Sequence, residues 1–110
     1  MRIGKVEQYI YDELEEKKGL LFQVVDPLDY KNLDDVVRVA VGGAEGGADA
    51  ILIGGSIGVQ GELLDYVASS IKEKTNVPII LFPGNIATIT KYADAIYFMS
   101  LLNARNPYWI

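Results

Sequence analysis

The sequence predicts an α/β fold built on a parallel sheet, and three observations predict it. Helical and strand patterns alternate along the chain in the order α-βα-βα-βα-β, the signature of right-handed βαβ crossovers. The strand runs are apolar throughout rather than alternating, as in strands covered on both faces. Glycine and polar residues gather directly after those runs, where parallel sheets carry their sites.

Each element follows from its residues. Ile3, Val6, Ile10 and Leu14 recur at helical spacing within residues 1–18, and Glu13, Glu15, Glu16, Lys17 and Lys18 fill the polar side. Gly19 is placed to stop this helix. The run 20–25, Leu-Leu-Phe-Gln-Val-Val, reads as a strand that Asp26-Pro27 breaks. Asn32 or Asp29 can cap the next helix, whose apolar face is Leu33, Val36, Val37, Ala40, Val41 and Ala44; Gly46-Gly47 ends it. Ala50 to Ile53 is the second strand, closed by Gly54-Gly55-Ser56. The third helix carries Leu63, Leu64, Val67 and Ile71 and ends in Lys72-Glu73-Lys74. Val77 to Phe82 is the third strand, with Pro78 near its start, where proline is tolerated. Pro83-Gly84-Asn85 turns the chain, a short helix is expected over about 86–91, and Ala95 to Met99 is the fourth strand.

A short repeat accompanies this order. Ala48-Asp49-Ala50-Ile51 leads into the second strand and Ala93-Asp94-Ala95-Ile96 into the fourth. Two readings stand: similar helix-to-strand turns, or the quasi-symmetry of a barrel. The C-terminal residues 101–110 end on Trp109-Ile110 without a polar tail. That end reads as a cut within a longer fold; the alternative is a natural end with Trp109 packed on the core.

Composition narrows the chemistry. A chain of 110 residues allows one domain or a piece of one, and with half of its residues hydrophobic it can bury a real core. A net charge of −5 and a pI near 4.6 lack the basic footprint of nucleic-acid binding. With no cysteine and no histidine there is no disulfide, no thiol nucleophile, no Ser-His-Asp triad and no zinc site of the usual kind. A metal held here sits on oxygen ligands, which favours Mg²⁺. No apolar run reaches the ~20 residues that span a bilayer, and the charged first segment is no secretory signal, so a cytoplasmic protein is expected.

Four groups fall at strand ends on one side of the sheet: Asp26-Pro27, Gly54-Gly55-Ser56, Phe82-Pro83-Gly84-Asn85, and Ser100 with Asn103. Asp26 can bind Mg²⁺ or act as a base; the alternative is a turn or cap aspartate. Ser56 adds a hydroxyl, and the N–H groups around it can face a phosphate; the alternative is a plain glycine-rich turn. The spacing Gly54, Gly58, Gly61 fits neither the dinucleotide fingerprint nor the P-loop. Asn85 is either a site residue or a helix N-cap. Arg105 can fork onto a diphosphate or stay a solvated charge. Tyr97, Tyr108 and Trp109 are core or channel residues.

Several stretches together are more specific. They are Val24-Val25-Asp26-Pro27, the run from Asp49 to Ser56 with Gly58-Val59 and Gly61-Glu62-Leu63-Leu64, Leu81-Phe82-Pro83-Gly84-Asn85, and the run from Tyr92 to Asn103 with Arg105-Asn106-Pro107-Tyr108-Trp109-Ile110. On these stretches the chain resembles the geranylgeranylglyceryl phosphate synthases of archaeal ether-lipid synthesis, and their second subgroup in particular. The resemblance implies a (βα)8 TIM barrel, of which residues 1–110 supply one domain's first half, about four βα units. It implies a Mg²⁺-dependent prenyltransferase that joins geranylgeranyl diphosphate to sn-glycerol 1-phosphate. The glycerol 3-hydroxyl attacks the allylic carbon and the diphosphate leaves. Asp26 matches the family's metal aspartate and Ser56 its second metal position. Gly54, Gly55, Asn85, Asn103 and Arg105 are the expected substrate-binding residues, and no residue is assigned the catalytic step. The glycerol phosphate site lies mostly in the second half, so this chain alone is expected to be inactive. A homo-oligomer is expected, because half a barrel leaves two apolar strand edges open; membrane contact is expected only at the periphery, through the lipid substrate. The competing readings are a non-enzymatic phosphate- or metal-binding α/β module, and a half-barrel that persists only as an assembly.

Overall fold

A computed structural model gives the fold and describes residues 4–27, 30–55, 61–83 and 89–96. The elements are α1 (Lys5–Lys17), β1 (Phe22–Val25), α2 (Leu33–Glu45), β2 (Ala50–Gly55), α3 (Gly61–Lys74), β3 (Ile79–Pro83) and β4 (Ala95–Ile96). The strands form one sheet in the order β1-β2-β3-β4, and every neighbouring pair is parallel. Sequence order equals spatial order, so each strand lies beside the next one in the chain.

Local chemistry sets the helix ends. Asn32, not Asp29, caps α2: its side chain accepts the Asp34 N–H at 2.9 Å, and Asp34 and Asp35 place negative charge in the first turn. Beyond the other end of α2, Gly47 takes φ 116°, a conformation that glycine adopts without strain. The end of α1 departs from the sequence reading. Lys18 rather than Gly19 takes the left-handed position (φ 63°), and its N–H donates to the Leu14 carbonyl at 2.7 Å. The backbone bond to Leu14 closes the helix one residue early.

The short helix expected over 86–91 is not seen in its described part. Residues 89 and 90 belong to no element, and 91 and 92 form a turn. Thr90 is the physical reason. Its hydroxyl donates to the Asp65 carboxylate of α3 and accepts the Tyr92 N–H at 3.3 Å, a side-chain turn that competes with helical bonding. Residues 84–88 of that segment, and residues 97–99 of the expected fourth strand, lie outside the described residues.

The two faces of the sheet are covered by different helices. Val25, Ile51, Ile53, Ile79 and Leu81 pack against Val36, Val37 and Ala40 of α2 and Leu64, Val67, Ala68 and Ile71 of α3. Each large apolar side chain buried here contributes about 1.5–3 kcal/mol. On the opposite face Ala50, Leu52 and Ile80 meet Val6 of α1, with Phe22 and Ala95 beside them. The register Val24↔Leu52, Leu52↔Ile80, Ile80↔Ala95 runs a single apolar row across all four strands on that face. α1 covers its N-terminal part. Toward the C-terminal edge the same face is open: Val24 and Phe82 are 63% and 49% exposed.

Candidate functional site at the C-terminal edge of the sheet

β1 and β2 bring the first two site groups together. Val25 pairs with Ile53, and Gly54 with Phe82, so Asp26, Gly54 and Phe82 share one level across three strands. The Asp26 carboxylate stands beside Gly54: a Cβ placed on the glycine would lie 3.7 Å from the Val25 carbonyl oxygen and 4.0 Å from Oδ2 of Asp26, ordinary contact distances. Asp26 is half-buried, and Pro27, next in the chain, is buried. Phe82 gives the same level an apolar wall.

Among the described residues no group of three or more acidic, cysteine or histidine side chains could hold a metal. A single carboxylate at an open strand edge suits Mg²⁺, which keeps its waters and takes its remaining ligands from substrate phosphates. Gly55 ends β2. Ser56, Asn85, Asn103 and Arg105 lie outside the described residues. Of the expected site residues the structure thus brings together Asp26, Gly54 and Gly55.

The groups that the sequence reading missed are at the other end of the strands. Asp49, 5% exposed, accepts Lys17 Nζ at 2.6 Å and the Leu21 N–H at 2.9 Å. The Lys17 ammonium, then the Leu21 N–H, hold the Asp49 carboxyl below its ordinary range. In return Asp49 and Glu13 raise the Lys17 pKa. Tyr9, whose hydroxyl donates to the Asp49 carbonyl at 2.8 Å, is raised by burial and then by the Glu13 and Asp49 charges. The hydrogen bond from Tyr66 to Asp34 raises the tyrosine's pKa on the outer helix surface. None of these groups borders Asp26. In a barrel-type sheet the N-terminal end serves stability and the C-terminal end serves chemistry. The repeated Ala-Asp-Ala-Ile was the one signal in the sequence that pointed to Asp49.

A parallel sheet flanked by helices, each strand lying beside the next in the chain, is the architecture of an α/β protein of the barrel type. Solved structures place it more closely. A wild-type GGGPS from Thermoplasma volcanium superposes with a TM-score of 0.80 at 34% identity, covering 98% of this chain and 42% of that one. The (S)-3-O-geranylgeranylglyceryl phosphate synthase of Thermoplasma acidophilum, solved in complex with its substrate sn-glycerol-1-phosphate, superposes with a TM-score of 0.79 at 30% identity over 99% of this chain and 43% of that one. These neighbours are TIM-barrel enzymes, and the chain has the α/β fold of about the first four βα units of such a barrel.

The profile of the PcrB family matches residues 11–110, and the chain belongs to that family. The geranylgeranylglyceryl phosphate synthase of Pyrococcus horikoshii is 52% identical over the whole chain, and that of Pyrococcus abyssi 51%. The chain spans 42–43% of the length of these two relatives, corresponding to their N-terminal half. Among the described residues no helix is long and apolar enough to cross a membrane.

Proposed function

We propose that this chain is the first half of a Mg²⁺-dependent geranylgeranylglyceryl phosphate synthase, and that it works only when the second half of the barrel is supplied. The observation that carries the reading is the pairing of two facts. Relatives about 50% identical over the entire chain bear that name, and the Asp26 carboxylate stands beside Gly54 at the edge where barrel enzymes react.

In the proposed reaction the 3-hydroxyl of sn-glycerol 1-phosphate forms a bond to the allylic C1 of geranylgeranyl diphosphate. The bond from C1 to the diphosphate oxygen breaks, the diphosphate departs with its electron pair, and the hydroxyl proton is released. Bound Mg²⁺ would supply neutralisation of the charge that grows on the leaving diphosphate. Asp26 and Ser56 would hold it. Gly54 and Gly55 leave room for a phosphate to approach the backbone, and Asn85, Asn103 and Arg105 would add donors to it. Phe82 and Val24, exposed on the sheet face near that edge, offer an apolar surface to the isoprenoid chain. The glycerol phosphate would bind mostly on the second half. The protein is proposed to be cytoplasmic, to assemble as a homo-oligomer, and to meet the membrane only through its lipid substrate.

A chimera tests this. Residues 1–110 replace the matching segment of the Pyrococcus horikoshii enzyme, and prenyl transfer to sn-glycerol 1-phosphate is measured. The chimera should make product in Mg²⁺ and the 110-residue chain alone should not. A folded chimera without activity, or an active isolated chain, contradicts the reading.

A further inference from the structure

The two copies of Ala-Asp-Ala-Ile carry the same set of bonds. At the first copy the Asp49 N–H donates to the Leu21 carbonyl at 2.7 Å, Asp49 Oδ2 accepts the Leu21 N–H at 2.9 Å, and Oδ1 accepts Lys17 Nζ at 2.6 Å. At the second, the Asp94 N–H donates to the Ile79 carbonyl at 2.7 Å, Oδ2 accepts the Ile79 N–H at 2.9 Å, and Oδ1 accepts Lys72 Nζ. In both, the lysine comes from the last turn of the helix before one strand, and the aspartate from the residue before the next strand. Each aspartate therefore ties together a helix, the start of its strand and the start of the neighbouring strand.

The third junction lacks the device. Pro78 stands before β3, where Asp49 and Asp94 stand before β2 and β4. Proline has neither an N–H nor a carboxylate to give; only its carbonyl takes part, accepting the Ile51 N–H at 2.9 Å. The ties thus join β1 to β2 and β3 to β4, and leave β2 to β3 to the ordinary ladder. The same bonds thus recur at alternate junctions, as similar helix-to-strand turns and a two-strand unit used twice both require.

The first tied pair is also the pair whose other ends carry the described site residues: β1 leads to Asp26, and β2 ends at Gly54 and Gly55. β1 has four residues and β4 two among those described, so their ladders are short. A slip of one residue would turn every side chain of such a strand to the other face.

We propose that Asp49, with Lys17, is a positioning residue that fixes the register of β1 against β2 and thereby sets Asp26 level with Gly54, and that Asp94 with Lys72 is the same device at β3 and β4. The inference takes from the synthase reading only the location of the site. Its test needs no ligand, so failure of either can be told from failure of the other.

The test is nuclear magnetic resonance on the 110-residue chain and its Asp49→Ala, Asp49→Asn and Lys17→Met variants. Amide exchange at Leu21 reports the tie, and the cross-strand contacts of Val25 with Ile53 and the amide shifts of Asp26 and Gly54 report the far end. In Asp49→Ala, Leu21 exchange should rise about tenfold or more, the fraying expected of a strand end that loses its partner. The Val25–Ile53 contacts should weaken and the Asp26 and Gly54 signals should move. Asp49→Asn keeps one acceptor oxygen and should restore most of both. Lys17→Met, which leaves both main-chain bonds, should move the same far-end signals in the same direction by less, and it decides the matter should Asp49→Ala not fold. Far-end signals at wild-type positions in Asp49→Ala, or in Lys17→Met if the first variant is unfolded, overturn the proposal.

Discussion

Two adjacent glycines in α2 should answer the same substitution in opposite ways. Gly42 and Gly43 both lie inside the helix, and neither has a positive φ. Alanine at a helix interior is favoured over glycine by roughly 0.5–1 kcal/mol. At Gly42 a Cβ would meet nothing within 4 Å, so Gly42→Ala should realise that gain in full. At Gly43 the new Cβ would fall 1.2 Å from Oε1 and 2.3 Å from Cδ of Gln23. Gln23 must then move, and its Nε2 would leave the Val39 carbonyl it now reaches at 3.3 Å. That bond is partly exposed and contributes on the order of 0.5 kcal/mol. Forcing the side chain off its rotamer adds about 0.5–1.5 kcal/mol. Gly43→Ala should therefore be neutral to about 1.5 kcal/mol destabilising, roughly 1–2 kcal/mol below Gly42→Ala. Urea unfolding followed by circular dichroism reads the difference as a shift in midpoint. The double variant Gly43→Ala/Gln23→Ala should recover much of the helix gain. If Gly43→Ala stabilises as much as Gly42→Ala with Gln23 in place, the described packing of β1 against α2 is wrong.

Three further outcomes follow from the packing and the charges. Leu64→Ala removes a side chain 1% exposed between α3 and the sheet, and should lower unfolding free energy by about 2–5 kcal/mol in urea titration; a loss under 1 kcal/mol would contradict the core described above. Lys18→Gly relieves a left-handed lysine and should stabilise by up to about 1 kcal/mol, read as a rise in melting temperature. Because the Lys17 ammonium and the Leu21 N–H hold the Asp49 carboxyl below its ordinary range, its share of the stability is present above the ordinary carboxylate range and lost as acid carries the pH down through its lower folded value. A urea midpoint measured from neutral pH downward should fall in that window, and less steeply in Asp49→Asn; identical acid limbs would show that the Lys17 pair contributes nothing.

Much of the fold could be read from the residues because local and global signals agree. The buried runs of β2 and β3 are too apolar and too short to be anything but covered strands, and Asn32 with Asp34 writes the start of α2 directly. The end of α1 could not be read, since an early backbone bond at Lys18 outweighed the glycine beside it. Nor could the segment around Thr90, where a side-chain hydroxyl from a distant contact with Asp65 replaces helical bonding. At the site, Asp26 and the glycines were legible from their place after strands. Their juxtaposition was not, because it depends on the register between β1 and β2. The bonds proposed to set that register, from Asp49 to Leu21 and Lys17, join residues far apart in sequence and left only a four-residue repeat as their trace.

In the proposed function Asp26 serves prenyl transfer with Mg²⁺, and removing its charge should stop that transfer. In the chimera that carries residues 1–110 on a complete barrel, Asp26→Asn keeps the side chain's size and removes its charge. Mg²⁺-dependent formation of geranylgeranylglyceryl phosphate should fall by roughly a hundredfold or more, the scale of losing one group that stabilises transition-state charge, while circular dichroism and the unfolding midpoint stay near those of the unsubstituted chimera. Near-normal turnover in a folded Asp26→Asn chimera would contradict the account.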